Sequence, residues 1–311
     1  MNRTTVTASL LLLICVMSWG SIFPLGKEIL AVMSGLALSV WRFVFAIAAL
    51  AIYLLIRRSA WPVLSPRRYL ILMLIGVVGI AGFNISLFTG LKYTAAINGS
   101  LIMALSPLVN SLLDALIKRT RLSRVQLFSL LTGFAGVLLV ISAGDPQRLL
   151  QLDVNRGDLY ILGGMLCWSF YTLAAKATIH WLPPLYFTLL TMLGGSAALI
   201  LLSSLIAGEA PLTQLLQLPG AELAGVLYIG LFATVFAYLF WNQGVATLGV
   251  PSASLFFNLV PVFAALTGLL FGQSLTAVQL SGMLLVCGGL AAPTLLQIIK
   301  QRRARPLLSA E

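Results

Sequence analysis

GVATLGVPSASLFFNLVPVFAALTGLLFGQSL, residues Gly244 to Leu275, decides the fold because the chain carries a second, diverged copy of it. The earlier copy starts at Gly90 as GLKYTAAINGSLIMALSPL. Gly90 and Gly244 each precede a proline by seventeen residues, Pro107 and Pro261, and each copy runs on through a mostly apolar stretch to Val-Gln-Leu, at Gln126 and Gln279. Upstream, Trp19 and Lys27 stand eight apart and so do Trp168 and Lys176, all at one offset of 149. Internal self-similarity settles architecture before any local reading, and here it describes two similar halves.

Composition identifies the solvent. Of 311 residues, 60% are hydrophobic and 9% charged, with a mean hydropathy of +1.03, whereas soluble domains carry about 25% charged residues. The chain reads as an all-α integral membrane protein. A bilayer core about 30 Å thick asks for about 20 apolar residues per helix. Ten such runs can be drawn: Val6 to Gly26, Leu36 to Ile56, Tyr69 to Leu91, Ile97 to Ile117, Val125 to Ala143, Leu159 to Ala177, Leu185 to Ile206, Leu223 to Gln243, Ala253 to Phe271 and Val278 to Ile298. Short connections are marked by Arg-Arg and Pro turns at Arg57 to Arg68, Pro183-Pro184, Pro211 and Pro251. The N-terminus resembles a signal peptide, but Ser18, Trp19 and Gly20 form no small-x-small cleavage site, so it is read as a retained first span.

Lys and Arg in short loops mark the cytoplasmic side. Arg57, Arg58, Arg67 and Arg68 follow the second span, Lys118, Arg119, Arg121 and Arg124 the fourth, and Lys300, Arg302, Arg303 and Arg305 the tenth; with Arg3 and Lys176 this side holds 14 of 19 basic residues. Both termini are therefore expected in the cytoplasm. Five spans per half is odd, so the second copy enters from the opposite side: two inverted five-helix repeats, residues 1–143 and 158–298, joined by a periplasmic link 144–157 and followed by a basic tail 299–311. One pattern in two orientations generates two conformations about a midplane site.

The net charge of +11 is spent on topology instead of a basic face, so no nucleic-acid partner is expected. Cys15, Cys167 and Cys287 fall in apolar runs without metal-ligand spacing, and His180, the sole histidine, lies in a short loop. Gly163-Gly164 and Gly288-Gly289 lack a P-loop Lys and Ser/Thr and suit close helix packing. No cofactor, metal or enzyme chemistry is expected.

Trp usually gathers at membrane interfaces, yet Trp19 and Trp168 sit near mid-span at matching places. Each either bonds a neighbouring backbone carbonyl or lines a cavity. Pro107 and Pro261 lie at mid-membrane depth, where each frees the carbonyl four residues earlier, that of Met103 or Phe257, and is expected to kink its helix as a gate. Tyr238, Trp241, Asn242 and Val245 share one helix face, and the offset of 154 maps Tyr238 onto Asn84. Asn98, Ser100, Asn110 and Asn258 add neutral hydrogen-bonding groups. Arg42 lies about two turns inside the second span and either snorkels outward or meets substrate or a gate. Asp114 is expected to pair with Lys118 at i+4. No carboxylate falls near the middle of any span, so a proton-coupling group cannot be named. The candidate substrate pathway is Trp19, Arg42, Asn84, Asn98, Trp168, Tyr171, Tyr238, Trp241, Asn242 and Asn258, with Pro107 and Pro261 as gates.

Several pieces together resemble the EamA repeat of the drug/metabolite transporter superfamily: SWGS at Ser18 with Lys27, WRF at Trp41, GLKYTAA at Gly90, SPL at Ser106, WNQGVATLG at Trp241, NLVPVF at Asn258 and FGQSL at Phe271. The resemblance implies ten helices, alternating access about a cavity lined mainly by helices 1, 3, 4, 6, 8 and 9, and export of amino acids, other small metabolites or toxic organic compounds from a bacterial cytoplasm. It carries family positions onto Trp19, Arg42, Pro107, Asn258 and Pro261. Many members have Gly-Glu after helices 4 and 9, where this chain has Arg119-Thr120 and Gly272-Gln273. The expected partners are a small solute, the lipid bilayer and protons as a coupling ion, with a monomer as the working unit. A facilitator or importer of the same fold and a non-transporting scaffold or receptor are the alternatives.

Overall fold

The computed structural model describes residues 3–289 apart from 59, 118, 120, 122–123, 146, 148–154, 179, 207, 209, 250–252 and 254. The expected tail 299–311, the end of the tenth span, the middle of the link 144–157, Thr120 and the Asp114 to Lys118 pairing lie outside the described residues.

Every element among the described residues is helical. In order they are α1 (Arg3–Ile29), α2 (Gly35–Ile56), α3 (Pro66–Leu91), α4 (Ala96–Ile117), α5 (Arg124–Ile141), α6 (Arg156–Thr178), α7 (Pro184–Leu201), α8 (Gly220–Leu248), α9 (Val260–Leu270) and α10 (Ala277–Gly289). Six of these, α1 to α4, α7 and α8, are long and apolar enough to cross a bilayer; shorter apolar stretches lie in α5, α9 and α10. The 23-residue α6 carries Asp158 in its first turn and Lys176 in its last, signs that suit the helix dipole. The turn expected at Pro211 is a short helix, Pro211–Leu216, with proline at its start. It is held against α2 because Trp41 Nε1 donates to the Pro211 carbonyl and the Ser34 amide to Gln214 Oε1.

The two halves interlock. The first helix of each half packs on the third and fourth helices of the other: α1 on α8 and α9, α6 on α3 and α4. Likewise α2 packs on α8, and α7 on α3. Small residues at matched positions permit this. A Cβ at Gly76 would collide with the Thr191 carbonyl of α7, and 154 residues on, a Cβ at Gly230 would stand 3.3 Å from the Arg42 carbonyl of α2. Of the glycine pairs expected to pack, Gly164 meets Ser86 and Gly289 meets Thr132, while a Cβ at Gly163 would only just reach Ser86 and one at Gly288 would meet nothing.

Matched irregularities interrupt the third and fourth helices of each half. In α3 the helix widens to π geometry over Val77–Gly82, and in α8 over Leu231–Phe236, again 154 residues apart. Such segments release carbonyls from the i→i+4 ladder and recur at functional sites. The proline expectation needs correction. Instead of kinking one continuous helix, each proline is the second residue of a fresh helical segment, Ser106–Ile117 in α4 and Val260–Leu270 in α9. A 3₁₀ turn, Leu255–Leu259, precedes the latter. Proline is well tolerated in a first turn because its missing N–H has no acceptor there, and the Met103 carbonyl accepts the Ser106 hydroxyl at 2.5 Å.

Candidate functional site: an aromatic cavity with a buried arginine

Where the interlocked helices cross, rings gather. Trp19 of α1 and Trp168 of α6 meet edge to face with centroids 5.1 Å apart. Both contact Tyr238, Trp241 and Phe257 at 5.3 to 5.9 Å. Tyr171 stacks on Trp168 at 5.2 Å and Phe83 approaches the same ring at 5.6 Å. Offset and edge-on geometries of this kind suit the ring quadrupoles. The cluster borders a cavity of about 30 Å³ lined also by Ile22, Phe23, Arg42, Leu87, Met103 and Val260. That volume suits water molecules only.

Arg42 is the charged member of this lining. It is 1% exposed, which overturns the snorkelling alternative. A guanidinium leaves the interface only if the interior supplies acceptors, and α8 supplies them through its π segment. Nε donates to Thr234 Oγ1 at 2.5 Å, Nη2 to the Ala233 carbonyl at 3.2 Å, and Nη1 to Asn84 Oδ1 of α3 at 2.9 Å. Asn84 is oriented by its own Nδ2 donating to the Ile80 carbonyl inside the α3 π segment, and the Thr234 hydroxyl donates five residues back to the Ile229 carbonyl. Ala233 O also accepts Trp19 Nε1 at 3.1 Å. One widened turn of α8 therefore holds both the arginine and one tryptophan. Among the described residues Trp168 Nε1 and Trp241 Nε1 have no hydrogen-bond partner, and the Tyr238 hydroxyl, beside Asn84, has none of good geometry.

The expected pathway residues separate into three groups. Trp19, Arg42, Trp168 and Tyr238 line the cavity, and Tyr171 and Trp241 extend the ring cluster behind it. Asn84 and Asn242 brace it: Asn242 Nδ2 donates to Thr188 Oγ1 at 2.7 Å and to the Tyr171 hydroxyl at 3.4 Å. The rest lie outside the lining. Asn98 Oδ1 accepts from Gln279 Nε2 of α10 at 3.0 Å, tying α4 to α10. Asn258 is largely buried, and its carbonyl accepts the Cys287 thiol. Pro107 and Pro261 are absent from the lining, but Met103 and Phe257, four residues before each, are in it. Phe83, Thr234 and the Ala233 carbonyl escaped the sequence reading, since nothing local distinguishes them. Phe257 was within reach as the 154-offset partner of Met103.

The ends of α1 differ. At its C-terminal end Lys27 Nζ donates to the Thr94 carbonyl in the α3–α4 corner, and Thr94 Oγ1 donates to the buried Asp158 Oδ1 at 2.6 Å. Asn155 Nδ2 donates to the Tyr93 carbonyl and the Arg156 guanidinium lies 3.7 Å over the Tyr93 ring. At the N-terminal end a groove of about 320 Å³ opens between α1 and α8, lined by Thr4, Thr7, Ala8, Leu11, Gln243 and Thr247.

The duplicated architecture matches one family twice over, since the model of the EamA-like transporter family fits residues 6–142 and again 155–293. This chain belongs to the EamA-like transporter family. Over 282 residues it is 32% identical to the "Uncharacterized transporter YyaM" of Bacillus subtilis, covering 90% of this chain and 92% of that one. It is 26% identical over 257 residues to the "Probable terminal-alkyne amino-acid exporter" of Streptantibioticus cattleyicolor, 81% of each chain. A crystal structure at 21% identity shares the fold, with a TM-score of 0.64 over 94% of this chain and 97% of that one. This EamA-like protein is thus a multi-pass membrane transporter, with the arginine-bearing ring cluster at the crossing of its two halves.

Proposed function

We propose that the protein is a bacterial inner-membrane exporter of small amphipathic metabolites, amino acids and related aromatic solutes foremost, working as a monomer by alternating access. Ten membrane helices form two inverted halves, 1–143 and 158–298, with both termini and the tail 299–311 in the cytoplasm and the link 144–157 in the periplasm. The observation that carries this reading is the cavity itself. It lies between helices of both halves; toward the C-terminal end of α1 the Thr94–Asp158 corner is tied by a hydrogen bond, and at the N-terminal end of α1 lies the separate Thr4–Thr247 groove. Such a site at a repeat interface, reached from one side at a time, is the arrangement that rocking of the halves requires. On the charge-derived topology the groove faces the cytoplasm, where an exported solute enters. The exporter name of the Streptantibioticus relative supports the direction.

The test is flux from purified protein in liposomes, with radiolabelled amino acids inside and a proton gradient applied or collapsed. Gradient-dependent efflux is the expected result, while gradient-independent movement would identify a facilitator. No movement across a broad panel of amino acids, aromatic acids and amines, by protein that elutes as one species, would overturn transport and leave a scaffold.

A further inference from the structure

Among the described residues Arg42 is buried without a counter-ion. All three of its hydrogen bonds go to neutral oxygens, on Thr234, Asn84 and Ala233. A guanidinium carries five N–H groups, so two remain beyond those three. An ionised side chain removed from water is normally paired with an opposite charge, and the residues lining the cavity include no carboxylate. Two other lining residues, Trp168 and Tyr238, are 1% and 0% exposed; among the described residues the Trp168 Nε1–H has no partner, and the Tyr238 hydroxyl has Asn84 as a neighbour but makes no hydrogen bond of good geometry. The rest of the lining is hydrocarbon or ring. The cavity thus holds a fixed positive charge and surplus donors, with no carboxylate among its lining residues.

We propose that this cavity is a carboxylate site: Arg42 binds the anionic head of an organic acid, Trp168 and Tyr238 supply further donors, and Trp19, Phe83 and Phe257 enclose an apolar or aromatic body. The assignment rests on the transport reading and narrows its substrate class. Charge-assisted bonds from a planar guanidinium to a carboxylate are among the strongest available. An aromatic cage can also hold a cation. Here, however, the guanidinium faces the same small space, and repulsion between full charges reaches farther than attraction to a ring quadrupole. An ammonium group on the solute finds no acidic partner in the lining, so amines lacking a carboxylate are poor ligands. Because Arg42 also bonds the α8 π segment, a carboxylate that draws the guanidinium toward itself competes with Thr234 and Ala233 for it.

Full-length protein in lipid nanodiscs is titrated with 3-phenylpropionate, L-phenylalanine and phenethylamine, which share a ring and differ in charge, with tryptophan fluorescence as the readout. The same three probes are then followed in proteoliposomes. The two carboxylates are expected to bind at least about tenfold more tightly than the amine, the scale of one charge-assisted contact. Trp168→Phe keeps the ring, removes the indole donor and weakens the carboxylates about fivefold while leaving the amine unchanged. Arg42→Gln brings acid and amine within about twofold of each other. Should Arg42→Gln fail to elute as a single species, the wild-type ranking and Trp168→Phe decide. Amine binding equal to acid binding, an acid affinity indifferent to Trp168→Phe, or a fluorescence change saturated by chloride alone would each overturn the carboxylate site. Movement of phenethylamine without the acids would sink the carboxylate site and leave transport standing. Stillness of all three and of the wider metabolite panel would remove both.

Discussion

Two corners of this molecule match in the repeat and differ in their packing. The α3–α4 corner sits against the start of α6, and the α8–α9 corner against the start of α1. One turn inward the two are the same, because a Cβ at Gly90 would stand 2.5 Å from Ile161 and one at Gly244 would stand 2.5 Å from Leu12. One turn outward they part. Tyr93, Arg156 and Gly157 are knitted together in the first corner, where a Cβ at Gly157 would stand 2.6 Å from the Gly90 carbonyl. Their repeat partners Thr247, Thr7 and Ala8 line the groove of the second. Lys27 and Thr7 are twenty residues apart on α1, so at 1.5 Å per residue the corners stand about 30 Å apart, a bilayer's hydrocarbon thickness. The lesson is that duplication supplies two equivalent corners, and the more tightly packed one is marked by polar side chains, Asp158, Asn155 and Arg156, that the other copy replaces with Ser9, Val6 and Thr7.

The comparison breaks most directly if the open corner is forced shut. In a background without Cys15, Cys167 and Cys287, Thr7→Cys with Thr247→Cys joined by a bifunctional thiol reagent is expected to cut liposome flux to below about 5% of the unlinked rate, as gating by closure requires. Undiminished flux through the linked protein would mean that the groove is no entrance.

The middle of the molecule carries the same asymmetry, since Arg42 and Thr191 occupy matched contacts with α8 and α3. Arg42→Leu removes a charge and three buried hydrogen bonds, at about 1.5 to 3 kcal/mol for each bond to a charged group, and should lower initial flux by about 100-fold per folded molecule. Thr191→Val should stay within about threefold, because it carries no charge and its hydroxyl bonds back to Phe187 and Thr188 of its own helix, with only the Tyr171 hydroxyl as a neighbour in the ring cluster. Equal losses in the two variants would make Arg42 a packing residue.

Gly76 and Gly230 separate the copies on stability. Alanine at Gly76 meets the Thr191 backbone and is expected to cost about 1–3 kcal/mol in thermal unfolding in detergent, as overpacking does. At Gly230 the nearest atoms are the Phe45 Cβ at 3.1 Å and the Arg42 carbonyl at 3.3 Å, so a shift of a few tenths of an ångström suffices and a cost under about 1 kcal/mol is expected. The reverse order would show that α2, not α7, makes the tighter joint. Smallest of all is Asn98→Ala, which unties α4 from α10 outside the cavity and should change flux by less than about twofold. A tenfold loss would return Asn98 to the pathway.

Much of this protein is chain-local and so was decided by the sequence alone. Apolar runs of membrane length, the offsets of 149 and 154, and the pairing of Trp19 with Trp168 follow from composition and spacing, because a helix in hydrocarbon satisfies its backbone within its own segment. Only the tertiary structure decided where the polar groups found partners. Arg42 bonds residues 192, 191 and 42 positions away, and Asn98 bonds one 181 away, distances over which spacing carries no information. The π segments at Val77–Gly82 and Leu231–Phe236 are likewise set by what packs on them, as are the fresh helix starts at Pro107 and Pro261. In a membrane interior a buried charge must be met by oxygens brought from elsewhere in the chain, and that meeting turned Arg42 inward to the cavity instead of outward to the surface.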